Sequence, residues 1–226
     1  RYAGSNVFAI DLSLQSLSYA VMQAEKLGQS NIKFAQGDIL NLDKLDHRFD
    51  LIESSGVLHH MNDPLAGWTT LRNLLKRGGL MRIGLYSSKG RREWNGLREV
   101  VPPHLDKERV TNFIRERRSR VLMKSVKGAD NVITNIADYY SLSGCRDLLF
   151  HENEIQFSIP QIAKIIADLN LRFLGFANLM GSTKKTFKNK FNSSTDYYDL
   201  EKWDIFEQEY PNTFISMYQF WCQAKD

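Results

Sequence analysis

Few cysteines and no long apolar run limit what this chain can be. Its 226 residues include only two cysteines, Cys145 and Cys222, which lie far apart in unlike contexts. This argues against a disulfide framework and gives no support for a zinc site, so we expect two reduced thiols and a cytoplasmic location. No apolar run approaches the ~18 residues of a membrane span, so we expect no membrane partner.

Charge is distributed unevenly along the chain. The formal net charge is +4, but residues 88–127 contain twelve Lys or Arg and five Asp or Glu, a net of +7. Within this segment, residues 115–120 (RERRSR) could attract a nucleic acid or an acidic substrate. Glu116 interrupts the run, interleaved aromatic residues are lacking, and a solvated helix face explains the pattern. We therefore do not expect a nucleic-acid partner.

Apolar runs alternate with helical patterns in the first 87 residues. The runs predict strands over residues 6–10, 31–35, 49–54 and 80–86. Capping residues and glycines predict helices over residues 13–27 and 64–76. Strands that alternate with helices are typical of βαβ units and a parallel sheet.

The pattern changes after residue 87 to a polar, basic and helical segment. Four apolar side chains in it share one helical face: Val110, Phe113, Ile114 and Val121. The segment is too long for an ordinary connection, so it is interpreted as an inserted helical cap. A helix from Ser158 and two further strands, over residues 171–178 and 214–223, then complete the sheet. Between these strands we expect a loop rich in Lys, Ser and Asn and then a helix near residues 199–209. The predicted divisions are residues 1–87, 88–157 and 158–226.

Acidic residues follow the first two predicted strands. A carboxylate at Asp11 could accept two hydrogen bonds from a ribose diol, although capping of the helix at Ser13 explains it equally well. Asp38 could accept a hydrogen bond from an adenine amine while Ile39 packs on the ring. The competing explanation, a turn aspartate, is common after strands and is favoured for Asp38 alone.

The most informative segment is residues 49–61, FDLIESSGVLHHM, a buried strand that ends in small residues and two histidines. Ligands bind beyond the carboxyl ends of strands in open parallel sheets. His59 and His60 could act as general bases, bind a metal or pack at the sheet edge. No Cys, Asp or Glu at metal spacing accompanies them, so no metal site is predicted, and packing is the leading alternative.

Taken in order, these motifs resemble the class I S-adenosylmethionine-dependent methyltransferases, particularly a small-molecule type with a VLHH segment. The motifs are Asp11, GDI at 37–39, FDLI at 49–52, GVLHHM at 56–61 and LLKRGGL at 74–80. Residues 139–151 (YYSLSGCRDLLFH) resemble a bacterial subgroup often fused behind tetratricopeptide repeats, so such a domain is expected upstream in the parent protein. The resemblance implies a Rossmann-like α/β fold, with a mostly parallel sheet, an antiparallel last strand and a helical cap.

The resemblance also implies site residues for S-adenosylmethionine and for a small-molecule methyl acceptor. The implied cofactor-binding residues are Asp11, Leu12, Asp38, Ile39, Ser54, Ser55, Gly56 and His59. The predicted substrate-binding residues are His60, Tyr139, Tyr140 and Arg146. Asp147 and His151 are four residues apart, so on a helix they would share a face and could form a carboxylate–imidazole base. A helix-stabilising pair is the competing explanation.

One element of the family pattern is not found in this sequence. The resemblance places a first strand and a glycine-rich loop before residue 1, so the chain is expected to be truncated at its amino end and to lack that strand. We therefore expect weak or no cofactor binding and no activity from residues 1–226 alone. A non-catalytic Rossmann-like interaction module with a vestigial site is the alternative function. An NAD-dependent oxidoreductase is a third hypothesis, although its cofactor fingerprint is equally absent.

Overall fold

Six strands form two separate sheets in the computed structural model, which describes residues 4–92, 95–102, 104–123 and 136–225. The strands are β1 (Val7–Asp11), β2 (Ile32–Gln36), β3 (Phe49–Ser55), β4 (Leu75–Tyr86), β5 (Leu171–Phe176) and β6 (Met217–Ala224). β1 and β2 pair in parallel, and the second sheet has the order β3-β4-β6-β5. β3 is parallel to β4, whereas β6 runs antiparallel to both of its neighbours.

The two sheets meet through side chains rather than through backbone hydrogen bonds. No strand of the described residues pairs with the outer edge of β1 or with that of β3. The rings of Phe8 and Phe49 stack between these edges, with centroids 6.4 Å apart and planes 3° apart. The expected Rossmann-like α/β fold with an antiparallel last strand is confirmed.

Seven α-helices occur in the described residues. They are α1 (Leu14–Lys26), α2 (Pro64–Asn73), α3 (Lys107–Leu122), α4 (Leu142–Leu149), α5 (Ile159–Asp168), α6 (Gly181–Lys190) and α7 (Leu200–Glu209). Side-chain caps explain where the first two begin, because Ser13 Oγ accepts from the Ser16 amide and Asp63 Oδ1 from the Ala66 amide. In the part of the chain that is described, none of these helices has the length and apolarity to cross a bilayer.

The main hydrophobic core lies between the four-stranded sheet and its helices. Alternate residues of β6 are buried, as expected for a strand with one face on the core: Tyr218, Phe220, Cys222 and Ala224. Trp68 of α2 and Trp203 of α7 are fully buried in the same cluster. A second, smaller cluster lies within residues 97–150 and includes Ile114 and Val121 of α3, so the predicted apolar face of this helix does pack inward.

Two elements differ from the sequence-based prediction. The helix that starts at Pro64 ends at Asn73, and β4 begins at Leu75 because Leu75 pairs with Phe49 across a register shift. Helix α6 lies in a stretch predicted as a loop. Its sequence is rich in Lys and Thr, and in it only Phe187 is buried, so it carries almost no apolar pattern.

Candidate functional site

The carboxyl ends of β1 and β2 place two carboxylates side by side. Asp11 is the register partner of Gln36, and Asp38 follows two residues later. Asp11 Oδ1 accepts a hydrogen bond from the Ser13 amide at 2.8 Å, and Asp38 Oδ1 accepts one from the Leu40 amide at 3.0 Å. The first helix is capped by Ser13 rather than by Asp11. Each carboxylate uses one oxygen in its turn, which leaves its second oxygen able to accept from a ligand.

The side chains beside these carboxylates are apolar. Leu12 is 67% exposed beyond the end of β1, and its carbonyl accepts from the Gln36 side chain at 2.9 Å. Ile39 begins a short 3-10 helix and packs partly against the main core. These two side chains provide an apolar border to the pair of acids.

The end of β3 carries small polar residues and a tight turn. Ser54 is buried, and its hydroxyl has no hydrogen-bond partner among the described residues. The Ser55 hydroxyl lies 3.7 Å from the Met217 sulfur. Gly56 has a φ of 81°, in the left-handed region that glycine adopts without strain. A buried hydroxyl without a partner is costly, so Ser54 suits the polar group of a bound molecule.

His59 is fully buried at the same edge. Its ring stacks on Tyr86, with centroids 3.7 Å apart, and neither ring nitrogen has a hydrogen-bond partner within the described segments. Burial, together with the neighbouring His60 and Arg91, lowers the pKa of His59 to about 2, and the Gly84 backbone opposes part of this shift. His59 is therefore neutral at physiological pH and forms part of the wall of the site.

His60 and His151 come together from distant parts of the chain. Their rings are tilted by 30° with centroids 3.8 Å apart. Both Nδ1 atoms point at one backbone carbonyl, that of Asn153, at 2.8 Å from His60 and 2.7 Å from His151. Burial lowers the pKa of His60, and this hydrogen bond with Asn153 partly offsets the effect.

Residues 151–157, here called the strap, cross the carboxyl ends of β3 and β4. The Ile155 amide donates to the His59 carbonyl and the Phe157 amide to the Tyr86 carbonyl, both at 2.8 Å. The strap therefore connects the cap to the VLHH turn through its backbone.

A buried ion pair anchors the strap. The Arg91 guanidinium binds both oxygens of Glu154, at 2.9 and 2.7 Å, and both side chains have no exposed surface. Arg98 lies 3.2 Å from the same carboxylate and also donates to the His151 carbonyl at 3.1 Å. Arg91 stacks over the Tyr86 ring at 3.8 Å, so the ion pair reaches the base of the site.

The Asp147–His151 pair is not arranged as the sequence suggested. Helix α4 ends at Leu149, so His151 lies outside it and the two residues do not share a helix face. Asp147 is exposed, and no hydrogen bond or ion pair of the described residues joins it to His151. The orienting partner of His151 is the Asn153 carbonyl, and the catalytic role of this pair stays a prediction.

The predicted substrate-binding residues of the cap differ in how far they are exposed to solvent. Tyr139 is fully buried and donates from its hydroxyl to the Arg118 carbonyl at 2.6 Å, and burial raises its pKa to about 12. This geometry gives Tyr139 a packing role, and its assignment to substrate binding stays a prediction. Tyr140 and Arg146 are exposed.

Several residues of this region were not anticipated from the sequence: Arg91, Arg98, Asn153 and Glu154. The first two are about sixty residues from the last two, and Asn153 acts through its backbone, which has no sequence signature. In the described ranges no cluster of three or more His, Cys, Asp or Glu residues could hold a metal ion.

Comparison with known proteins agrees with this arrangement. A family model described as a methyltransferase domain matches residues 2–118. An uncharacterised protein of Synechococcus sp. is 26% identical over 213 residues, which cover 88% of this chain and 49% of that protein. A ubiquinone biosynthesis O-methyltransferase of Cereibacter sphaeroides is 35% identical over 78 residues, 34% of this chain and 31% of that enzyme. The chain thus spans half or less of the length of these relatives.

Among solved structures, PKMT2 from Rickettsia typhi in complex with AdoHcy has a similar fold. The TM-score is 0.60 at 14% sequence identity, and the alignment covers 97% of this chain and 44% of PKMT2. Because the family model covers more than half of the chain, the chain belongs to the methyltransferase domain family, the class I S-adenosylmethionine-dependent enzymes that its motifs resemble.

Proposed function

We propose that this chain forms the cofactor site and the acceptor site of an S-adenosylmethionine-dependent methyltransferase that acts on a small molecule. The observation that carries the proposal is the set of polar groups, free to bind a ligand, at the carboxyl ends of β1, β2 and β3. Asp11 and Asp38 each offer one carboxylate oxygen, and Ser54 offers a buried hydroxyl without a partner. The acids follow adjacent parallel strands, where ribose and adenine groups would be held.

The site residues fit the bound cofactor in chemical type. Asp11 would accept from the ribose hydroxyls, with Leu12 alongside, and Asp38 with Ile39 would hold the adenine. Ser54, Ser55 and Gly56 would lie beside the methionine part, with His59 as a neutral wall. When bound, S-adenosylmethionine supplies a methyl group activated by its sulfonium sulfur. The protein's part is to position the acceptor and to exclude water.

The strap and the cap support a small acceptor. The strap crosses the ends of β3 and β4, and the buried Arg91–Glu154 pair holds it there. A covered edge of this kind restricts the space above the VLHH turn. Tyr140 and Arg146, which are exposed on the cap, are the proposed outer contacts of the acceptor.

The cofactor site is tested by calorimetry of S-adenosylmethionine binding to the natural full-length protein. Asp11→Asn and Asp38→Asn keep the oxygen that accepts from the backbone and remove the charge. Loss of a hydrogen bond to a charged group costs about 1.5–3 kcal/mol, so we expect each variant to bind about 10- to 100-fold more weakly. Asp43→Asn, on the exposed face of the neighbouring 3-10 helix, is the matched control and should bind normally.

The result that contradicts the proposal is unchanged binding in both variants, or no binding by the full-length protein. Binding of S-adenosylmethionine by residues 1–226 alone is measured separately. We expect them to bind weakly or not at all, because no described strand closes the edges of β1 and β3 beside the site. Micromolar binding by this piece would contradict that expectation and leave the proposed function intact.

The alternative is an interaction module with a vestigial site. It is supported by exposed apolar side chains in β1 and α1 and directly beside them: Phe8, Leu12, Leu14, Tyr19 and Leu27. In that case the full-length protein would not bind S-adenosylmethionine, and the two aspartate variants would have no effect. The same calorimetry therefore decides between the two functions.

A further inference from the structure

Two imidazole rings share one hydrogen-bond acceptor at the sheet edge. The Asn153 carbonyl oxygen lies within 2.8 Å of Nδ1 of His60 and within 2.7 Å of Nδ1 of His151. A carbonyl oxygen has two lone pairs and can only accept, so a hydrogen bond to it from either ring requires a proton on Nδ1. The same oxygen thus orients both rings.

The tautomer of His151 follows from the shorter of two contacts. The Asn153 amide can also donate to an unprotonated Nδ1, at 3.2 Å. An unprotonated Nδ1 would, however, direct its lone pair at the carbonyl oxygen only 2.7 Å away, which is repulsive, so the shorter contact favours the donating form. In both neutral rings the remaining nitrogen, Nε2, then has a free lone pair. No hydrogen bond from the described residues reaches either Nε2 atom.

Resting on the proposed methyltransferase function, we propose that His60 and His151 together form the proton acceptor of the reaction, and that the methyl acceptor carries a phenol- or enol-type hydroxyl. The pair stands at the end of β3, five residues beyond Ser55, and contacts Tyr86 at the end of β4. The His60–His151 pair therefore lies at the carboxyl ends of β3 and β4, between the strap and the proposed cofactor residues of β3.

The proposed methyl transfer conserves atoms and charge. The acceptor oxygen forms a bond to the methyl carbon as the carbon–sulfur bond breaks, and that electron pair stays on sulfur. The O–H proton moves to Nε2 of one histidine, and the O–H electron pair stays on oxygen. The products are a methyl ether, a neutral thioether and one imidazolium, so the single positive charge of the sulfonium ends on the histidine pair.

Two properties favour a hydroxyl as the methyl acceptor: it has a proton to release, and it is neutral. A carboxylate or thioether acceptor has no proton to release, so both Nε2 lone pairs would have no role. An ammonium acceptor has no lone pair with which to attack the methyl carbon, and it would bring a second positive charge beside the sulfonium. A neutral hydroxyl has a proton to give to a histidine and adds no charge. General-base catalysis therefore accelerates methyl transfer to a hydroxyl.

The rings are too close to carry two charges. With ring centroids 3.8 Å apart, a positive charge on His151 would oppose protonation of His60, so only one of the two rings receives the proton of the reaction. The charged and titratable groups around His60 are His59, Tyr86, Arg91, Arg98, Asp147, His151 and Glu154. Burial outweighs the two carboxylates and lowers the pKa of His60. Activity should therefore persist below the ordinary histidine pKa and fall only at more acidic pH.

The tautomers can be tested without turnover. Long-range nitrogen–proton correlation NMR on the full-length protein with ¹⁵N-labelled histidine reads the protonation of each ring nitrogen. We expect the neutral form with the proton on Nδ1 for both His60 and His151 at pH 7. The exposed His47 is the internal reference for an unconstrained ring. A proton on Nε2 of either His60 or His151 would overturn the inference.

Turnover tests the role of the pair and the class of acceptor. The substitutions are His60→Gln, His151→Gln and both together, with His47→Gln as the control. We expect the double variant to lose about 10²- to 10⁴-fold in kcat with an unchanged Kd for S-adenosylmethionine. The probes are catechol, benzoate and butylamine with radiolabelled methyl donor, and transfer to catechol is expected.

Two results would contradict the inference while leaving methyl transfer intact. One is transfer to benzoate or butylamine but not to catechol. The other is catechol methylation at the normal kcat by the double variant. Failure of the proposed function itself appears separately, as a lack of cofactor binding in calorimetry, and does not alter the NMR result.

Discussion

His59 and His60 are neighbours in the sequence and differ in what surrounds them. His59 has no exposed surface and no hydrogen-bond partner in the described residues, whereas the half-buried His60 is held by a carbonyl. The sequence predicted that one or both would pack at the sheet edge, and His59 does so. Which of the two would pack could not be foreseen, because the carbonyl that holds His60 comes from residue 153.

Acid sensitivity of folding is expected to reside partly in His59. The pKa of His59 in the folded state lies well below the ordinary 6.5. Below pH 6.5 the unfolded chain therefore binds a proton at His59 that the folded chain does not bind. The contribution of His59 to stability is thus complete above pH 6.5 and is lost as the pH falls. Between pH 7 and pH 5 the free energy of unfolding should drop by up to about 2 kcal/mol from this residue.

The measurement is urea unfolding of the wild type and of His59→Phe at pH 7 and pH 5. Phenylalanine retains the stack on Tyr86 and removes two buried nitrogens without partners, so at pH 7 we expect equal or greater stability. The variant should also lose less stability than the wild type on acidification. An equal loss in both proteins would rule out His59 as the source.

The strap depends on a charge pair that is entirely inside the protein. Arg91 and Glu154 have no exposed surface, and the carboxylate also contacts Arg98. Removing one partner of such a pair leaves an uncompensated buried charge, which costs about 3–5 kcal/mol, whereas replacing both with apolar residues is often tolerated. Stability of the strap is therefore a property of the pair and not of either residue.

A double-mutant cycle tests this at the level of the element. We expect Arg91→Met and Glu154→Leu each to lower the free energy of unfolding by about 3 kcal/mol, and Arg91→Met/Glu154→Leu to recover part of that loss. Lys164→Met with Asp168→Leu, an exposed pair on α5, is the control and should couple by less than about 0.5 kcal/mol. Additive effects at Arg91 and Glu154 would mean that the buried pair contributes no specific stability.

Elements with a regular apolar pattern were predictable, and those held by distant contacts were not. β6 and the face of α3 follow their hydrophobic periods, and both pack as expected. The end of α2 was misplaced because the pairing of Leu75 with Phe49 extends β4 into the residues that follow it. The acids after β1 and β2 could be found by motif, whereas the shared carbonyl of Asn153 could not, since every residue has a carbonyl.

On the scale of the whole molecule, the two sheets differ in how well they are held. No residue of β1 or β2 is buried, and α1 buries only Leu17 and Ala24. β6 is paired on both sides, and every second residue in it is buried. Local stability should follow this contrast, because it depends on buried apolar contacts and on protected backbone hydrogen bonds.

Hydrogen exchange followed by mass spectrometry should separate the two sheets in residues 1–226. We expect amides of residues 7–36 to exchange at least about 10²-fold faster than those of residues 217–224, at a pH where folding is complete. Peptides from α7, which buries Trp203 and Phe206, provide a second protected reference. Equal protection of both regions would show that β1 and β2 unfold only with the rest of the chain.

Because the two sheets are separate, a bound ligand would also connect them. Asp11 and Asp38 lie at or just beyond the ends of β1 and β2, Ser54 and His59 lie at or just beyond the end of β3, and no backbone hydrogen bond of the described residues joins the two sheets. A molecule that touches all four residues would connect two units, the two sheets, that otherwise meet through side chains such as the Phe8–Phe49 stack and Ile39 on the main core. Its affinity then includes the free energy of docking the units, and occupancy should slow hydrogen exchange in β1 and β2 first.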